Sequence, residues 1–165
     1  MNVDEILSAL NKERTDYILI GGMNFLIRHL PELTFDVDVW VNHSEENLIK
    51  LNKALCALGA AWGPTEKEWQ TVGEDWRWLQ RQNVFCLTTR HGAVDVFLEV
   101  RGLEGRYAEC RRAASEWRTS AGVPFASLSD EHMLACQEAL PLSEQRPGRV
   151  KVLREALRRP QHGST

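Results

Sequence analysis

The sequence predicts an α+β fold, in which helices flank a small mixed β-sheet and a short helical segment ends the chain. Three patterns predict this class: a strand–helix–strand–helix order before residue 60, a strand pair around a tight turn at residues 90–92, and helical periodicity after residue 128. The 165 residues, 43% of them hydrophobic and 26% charged, suffice for one domain with its own core.

The chain begins with a helix, a strand and a second helix. Residues 3–13 carry apolar side chains at helical spacing behind an acidic first turn, which predicts a helix that covers the sheet. Residues 17–20 are apolar and predict a short buried strand. Residues 22–29 predict a helix that Pro31 stops, because proline disfavours helical backbone in the residue before it.

A second strand–helix pair follows. Residues 34–42 alternate between polar and apolar side chains, which predicts a strand. Ser44 then caps a helix with leucines at helical spacing, and Gly59 ends that helix as its left-handed cap.

The next segment is rich in tryptophan and does not predict one clear element. Trp69, Val72, Trp76 and Leu79 recur at helical spacing, whereas Trp78 lies off that stripe. We interpret the stripe as core packing.

The second half of the chain contains a hairpin and then mostly helices. Strand-like residues 83–89 and 93–100 flank the compact turn. A helix at residues 106–114 and two short strands within residues 116–128 follow. We therefore divide the chain into a core of residues 1–128 and a C-terminal helical appendage of residues 129–160, packed on the same domain. The appendage contains a helix that Ser129 caps and Pro141 ends, and a final helix over residues 149–159.

Two aspartates lie one residue apart in the second strand. Because side chains alternate along a strand, Asp36 and Asp38 point to the same face, together with Thr34. At about 6–7 Å, two like charges repel by roughly 2–3 kcal/mol at an effective dielectric near 20. A divalent cation would turn that penalty into a binding site, and a solvent-facing edge strand is the alternative explanation.

Asp95 extends this acidic pattern. It lies near the start of the strand at residues 93–100, on the face opposite Val94 and Val96. If the two acidic strands pair, three carboxylates converge. Oxygen ligands of this kind suit Mg²⁺ or Mn²⁺, and such sites hold two ions about 3.5–4 Å apart in phosphoryl and nucleotidyl transfer.

Gly21 and Gly22 connect the first strand to the following helix. Glycine lets a backbone approach a phosphate closely, and the first turn of a helix presents N–H groups and a positive dipole end. A plain strand-to-helix turn is the alternative.

In this combination the chain resembles the DNA polymerase β-type nucleotidyltransferase superfamily. The resemblance covers about the first 100 residues and rests on the successive segments LIGG, MNFLIRHLPEL and TFDVDVWV, followed by the later strand aspartate. Within the superfamily, the chain is most similar to small bacterial nucleotidyltransferase-like proteins related to AbiEii-type toxins of toxin–antitoxin systems.

The resemblance implies a polymerase β-like core and a role for six residues. It implies catalysis and metal binding by Asp36, Asp38 and Asp95, with Asp95 as the general base. It implies nucleotide binding by Gly21, Gly22 and Thr34.

The chain departs from the family pattern at three positions. Glu32 stands where relatives often carry arginine, Gln137 where they carry lysine, and Arg149 where they carry aspartate, although Arg146 matches the pattern. These differences favour an unusual substrate or an altered activity.

We therefore expect a metal-dependent transfer of a nucleoside monophosphate from an NTP such as ATP to an acceptor hydroxyl. The sequence does not identify the acceptor, which could be an RNA end, a protein hydroxyl or a small molecule. A toxin-like role with an antitoxin-type protein partner is also compatible with the sequence. One alternative is a non-catalytic module that senses nucleotide or acts as an antitoxin-like partner. Another is a hydrolase of phosphoryl groups. Base stacking by aromatic rings near a nucleotide site is the alternative to core packing in the tryptophan-rich segment.

Charge and cysteine content limit the remaining possibilities. A formal net charge of −3 argues against a broadly basic nucleic-acid-coating protein. We interpret the basic residues near the C-terminus as a solvated helix face, which could alternatively guide RNA. The four cysteines form no C-x-x-C pair and indicate core residues in a reducing compartment. Without an apolar N-terminal signal or a bilayer-length apolar run, we expect a cytoplasmic protein with no membrane partner.

Overall fold

Eight β-strands form one mixed sheet in the computed structural model, which describes residues 1–29, 33–63 and 65–158. The strands are β1 (Tyr17–Leu19), β2 (Asp36–Val41), β3 (Ala61–Trp62), β4 (Gln70–Thr71), β5 (Val84–Thr89), β6 (Gly92–Phe97), β7 (Ser115–Arg118) and β8 (Pro124–Ser127). The α-helices within these ranges are α1 (Val3–Lys12), α2 (Gly21–Arg28), α3 (Glu45–Ala57), α4 (Tyr107–Ala113), α5 (Asp130–Glu138) and α6 (Pro147–Arg158).

The strand order places β2 near the middle of the sheet. The order is β4-β3-β5-β6-β2-β1-β8-β7, with β2–β6 and β1–β8 parallel and the other pairs antiparallel. A parallel neighbour cannot follow by a tight turn, so α3 and three strands separate β2 from β6 in the chain. The predicted α+β class with a mixed sheet is confirmed, although eight strands make the sheet larger than predicted.

The capping residues predicted from the sequence are found at the ends of α3 and at the start of α5. The Ser44 hydroxyl accepts a hydrogen bond from the Asn47 amide, and Gly59 follows α3 with a φ of +63°. The Ser129 hydroxyl likewise accepts from the His132 amide at the start of α5. The predicted stop at Pro31 lies outside the described residues.

Two hydrophobic clusters cover the sheet. The first packs α1 and α3 against the fully buried valines of β2 and β6. The second joins β1 and β2 to α2, α4, α5 and α6, and includes Trp40, Phe25, Met133 and Leu153. Because α5 and α6 contribute to this second cluster, they pack directly on the sheet domain. The boundary that we predict at residue 128 stays a prediction.

The tryptophan-rich segment is not one helix. Two short 3₁₀-helices, Glu66–Glu68 and Trp76–Gln80, flank the edge strand β4. Trp78, which lies off the predicted stripe, is the buried ring and stacks on Trp62 with centroids 5.7 Å apart, whereas Trp69 is exposed. The predicted core packing is confirmed at Leu79, which is fully buried, whereas Trp78 is buried off the stripe because it packs against β3 and β5.

None of the helices within the described ranges is both long and apolar enough to cross a membrane. All four cysteines are free thiols.

Candidate active site

The parallel pairing of β2 with β6 brings the three predicted carboxylates together. Asp38 lies directly beside Asp95 in the register, and Asp36 beside Ala93. One carboxylate oxygen from each of Asp36, Asp38 and Asp95 lies within 4.8 Å of the others, and all three side chains are half-buried. The arrangement is the one that the alternation of side chains along the two strands predicts.

The diglycine turn packs against one of these carboxylates. Gly21 begins α2 with a φ of +66°, and a Cβ built on it would lie 1.8 Å from Oδ2 of Asp38. The Gly22 amide donates a hydrogen bond to the same oxygen at 3.3 Å. Only glycine fits at position 21, because a side chain would occupy the space of the carboxylate. The nucleotide contact predicted for both glycines stays a prediction.

Thr34 lies between the turn and the acids. Its hydroxyl donates to Oδ1 of Asp36 at 3.0 Å, and a Cβ on Gly22 would lie 3.0 Å from the hydroxyl oxygen. This hydrogen bond orients the Asp36 carboxylate, a role that the sequence does not reveal. Nucleotide binding by Thr34 stays a prediction.

The carboxylates share an excess of negative charge. Burial, together with the charges of Asp36 and Asp95, raises the pKa of Asp38 to about 7. Burial also raises the pKa of Asp95, and the nearby charge of Asp36 adds to the shift. Closely spaced oxygen ligands with unbalanced charge are the donor set that Mg²⁺ and Mn²⁺ prefer, so these residues fit the predicted cation.

Two further side chains adjoin the acids and were not predicted as site residues. Cys86 pairs with Asp95 across β5 and β6, which places its thiol near that carboxylate. Burial and the Asp95 charge raise the pKa of Cys86 to about 11, so it stays a thiol at neutral pH. Arg149 of α6 lies near Gly22, with Nη2 3.7 Å from the position of a Cβ on that glycine. The alternation of side chains along β5 would have indicated that Cys86 lies beside Asp95 if the register between β5 and β6 had been known.

Gln137 has a structural role at the position where the family pattern that the sequence resembles has lysine. It is buried in α5, and its Oε1 accepts a hydrogen bond from the Arg146 amide at 3.0 Å. The contact holds the start of α6 against α5. Glu32 lies outside the described residues.

Comparison with known proteins identifies the fold. The crystal structure of ANT(2")-Ia in complex with adenylyl-2"-tobramycin has a TM-score of 0.57 at 12% identity, covering 94% of this chain and 87% of that chain. The solution structure of ANT(2")-Ia gives 0.53 at 14% identity, covering 93% and 80%. TM1012 of Thermotoga maritima, a provisionally assigned nucleotidyltransferase, gives 0.51 at 17% identity, covering 94% and 89%.

Sequence comparison adds no closer relative. No protein-family model matches the chain, and no curated protein matches its sequence. The AbiEii-like relationship therefore stays an expectation. The chain has the fold of its nucleotidyltransferase structural neighbours, with three carboxylates and a diglycine turn assembled on the central strands.

Proposed function

We propose that this protein is a metal-dependent nucleotidyltransferase. It moves a nucleoside monophosphate from an NTP to an acceptor hydroxyl and releases pyrophosphate. The observation that carries the proposal is the convergence of Asp36, Asp38 and Asp95, with ligand oxygens within 4.8 Å of one another, beside the turn at Gly21. A fold shared with nucleotidyltransferases supports the same reaction class.

The three carboxylates would hold Mg²⁺ or Mn²⁺, which supplies positive charge to the phosphates during transfer. Thr34 keeps the Asp36 carboxylate oriented through its hydrogen bond. Asp95 accepts the proton of the acceptor hydroxyl on a carboxylate oxygen, and its raised pKa makes it a better base than an ordinary aspartate. The acceptor oxygen then bonds to the α-phosphorus as the bond to the β-phosphate bridging oxygen breaks.

The nucleotide phosphates are proposed to lie against the first turn of α2. The turn at Gly21 and Gly22 leaves no side chain between the backbone and the acids, and the positive end of the helix dipole faces the same place. Thr34, beside Gly22, completes this wall of the site.

The acceptor class is proposed from one structural neighbour. ANT(2")-Ia was crystallised with adenylyl-2"-tobramycin, an adenylylated small molecule. A small molecule with a hydroxyl group is therefore our first candidate acceptor, and RNA and protein hydroxyls are the others. A toxin-like role with an antitoxin-type partner is part of the same proposal, since such a toxin would act by modifying one of these acceptors.

Labelled NTPs test the proposal directly. We expect the wild-type protein with Mg²⁺ or Mn²⁺ to transfer label from one of the four NTPs to a component of a lysate, an RNA pool or a small-molecule library, and to release pyrophosphate. Asp36→Asn should lower the rate by about a thousandfold or more. Asp75→Asn, at an exposed carboxylate that pairs with Arg77, is the matched control and should keep the wild-type rate. Wild-type turnover by Asp36→Asn would refute the assignment.

The second candidate is a non-catalytic nucleotidyltransferase-fold module. The structural use of Gln137 favours it, because the lysine of the family pattern that the sequence resembles is absent there. Thermal unfolding with Mg²⁺ and each NTP tests the partner-binding form of this module, which gains no stability from any nucleotide. A nucleotide-sensing module would gain stability but would transfer no label. Loss of NTP without any labelled acceptor would instead indicate hydrolysis.

A further inference from the structure

The sheet face that carries the acids is covered by helices on one side of them only. Towards β1, Ile18 and Trp40 lie on this face and are fully buried in the cluster that includes α2, α4, α5 and α6. Towards β5, the cross-strand register places Val84, Cys86 and Thr88 on the same face. All three side chains are exposed, so the described helices leave this part of the face open.

The register also sets an order of side chains across the acidic face. Asp38 pairs with Asp95, and Asp95 pairs with Cys86, so these three side chains form one row. Gly21 packs against Asp38, at the end of the row away from β5. The row therefore runs from the diglycine turn, across two of the acids, to the open part of the face.

The geometry of nucleotidyl transfer constrains the direction from which the acceptor approaches. The attacking and leaving oxygens lie roughly in line, on opposite sides of the phosphorus. Because the leaving phosphates are proposed to lie against the first turn of α2, the acceptor hydroxyl must approach from the β5 side. Asp95, the proposed base for the proton of that hydroxyl, lies on the β5 side of Asp38.

We infer that the open face of β5 binds the acceptor, and that the acceptor is a small hydroxyl compound such as a sugar or polyol. The inference rests on the proposed function and gives it an acceptor site and a substrate class. Thr88 offers a hydroxyl group and Val84 an apolar contact, which match the O–H and C–H groups of such a compound.

The charge of the open face favours a small acceptor over RNA. The exposed residues of β5 are a valine, a cysteine and a threonine, and Ala61 and Thr71 continue the face through β3 and β4. Arg90, which follows β5, donates instead to the Ala57 carbonyl in α3, the helix that packs on the opposite face. RNA binding depends on lysine and arginine contacts to phosphates, whereas this face adjoins three carboxylates.

A bulky side chain on the open face tests the acceptor site. The probes are a set of sugars and polyols and, separately, total RNA, each incubated with Mg²⁺ and labelled ATP, GTP, CTP and UTP. We expect wild type to label a sugar or polyol. Thr88→Trp should lower this transfer by about tenfold or more, because the ring occupies the space of the acceptor. NTP affinity, measured by calorimetry, should stay within about twofold of wild type, since no phosphate contact is removed.

A second tryptophan variant provides the matched control. Ser115→Trp places the same ring at an exposed position of β7, the opposite edge strand of the sheet, and should keep the wild-type transfer rate and NTP affinity. Tryptophan is favourable in strands, so both variants are expected to fold. If Thr88→Trp does not fold, Val84→Trp fills the same face and decides the question by the same two measurements.

The outcomes separate this inference from the proposed function. Wild-type transfer by folded Thr88→Trp, or an equal loss of NTP affinity, overturns the acceptor site and leaves the proposed function intact. Faster labelling of RNA than of the sugars and polyols overturns the substrate class. Transfer to neither set overturns the inference, and failure of the wild-type protein to bind any NTP overturns the proposed function as well.

Discussion

The two faces of the β2–β6 pair carry opposite kinds of side chain on one backbone ladder. One face carries four fully buried valines: Val37, Val39, Val94 and Val96. The other carries three half-buried carboxylates that repel one another. Each buried valine stabilises the fold by about 1.5–3 kcal/mol, whereas the carboxylates destabilise the metal-free protein. The comparison teaches that stability and function are divided between alternate residues in the part of the strands that precedes the buried Trp40.

Moving a carboxylate to the valine face breaks this division most severely. Val39→Asp places an unpaired charge where the side chain is fully buried, at a cost of about 4–5 kcal/mol or more, comparable to the whole stability of many domains. We expect loss of the folded protein, measured by circular dichroism and urea unfolding. Asp38→Asn, one residue away on the other face, should remain folded. A well-folded Val39→Asp protein would contradict the division of faces.

The next largest effect is expected at the turn that supports the acidic face. Gly21→Ala combines a left-handed backbone with a Cβ 1.8 Å from Oδ2 of Asp38, so the carboxylate must move. We expect a loss of about 2–3 kcal/mol in unfolding free energy and about a hundredfold in transfer rate.

Gly105→Ala provides the matched control for Gly21→Ala. Gly105 has a φ of +68°, but a Cβ on it would meet nothing within 4 Å. Gly105→Ala should lose only about 1–2 kcal/mol of unfolding free energy, from backbone strain, and should keep the wild-type transfer rate. Equal rates in the two variants would mean that the turn does not position Asp38.

Stability against pH measures the repulsion on the acidic face. The pKa of Asp38 is about 7 in the folded protein against an ordinary value of 3.8, so the folded protein holds this proton more tightly than the unfolded chain. The stabilisation that this bound proton gives to the folded protein is complete below pH 3.8, and it is lost as the pH rises through about 7. Without metal, we expect unfolding free energy to fall by on the order of 2 kcal/mol across this window, after allowance for partial exposure.

Urea unfolding in a chelator at several pH values tests this dependence. Asp38→Asn cannot ionise and should show a flatter profile than wild type, with higher stability at neutral pH. Added Mg²⁺ should stabilise wild type more than the variant at neutral pH, because the cation offsets the repulsion. Identical pH profiles for the two proteins would contradict the prediction.

The smallest effect is expected at the hydrogen bond that orients Asp36. Thr34→Val removes the hydroxyl that donates at 3.0 Å, while the shape of the side chain stays nearly the same. The transfer rate should fall about tenfold, or about 1.4 kcal/mol in activation free energy, with little change in stability. Thr34→Ser keeps the donor and should retain most of the rate, as steady-state kinetics can check.

The sequence alone was sufficient for the parts of the site that depend on alternation. Asp36, Asp38 and Asp95 were each placed on the correct face of their strands, and the helix ends at Ser44 and Gly59 followed from local capping chemistry. These features depend on residues that are neighbours in the chain, because local backbone geometry determines which way each side chain points.

The features that the sequence did not predict all depend on distant packing. Cys86 adjoins Asp95 only because β5 and β6 pair in one register, and Arg149 reaches Gly22 only because α6 packs near α2. In the tryptophan-rich segment, contacts with Trp62 bury Trp78 and override the helical spacing. Side-chain periodicity carries no information about such contacts between elements.

The parallel pairing of β2 with β6 has a consequence for the order in which the protein folds. Loop-closure entropy opposes this pairing until the chain between the two strands is organised, so contacts of high sequence separation are expected to form late. A nascent chain that has not yet exposed Asp95 outside the ribosome lacks a complete set of ligands. Under the proposed function, chains too short to include Asp95 would therefore be inert.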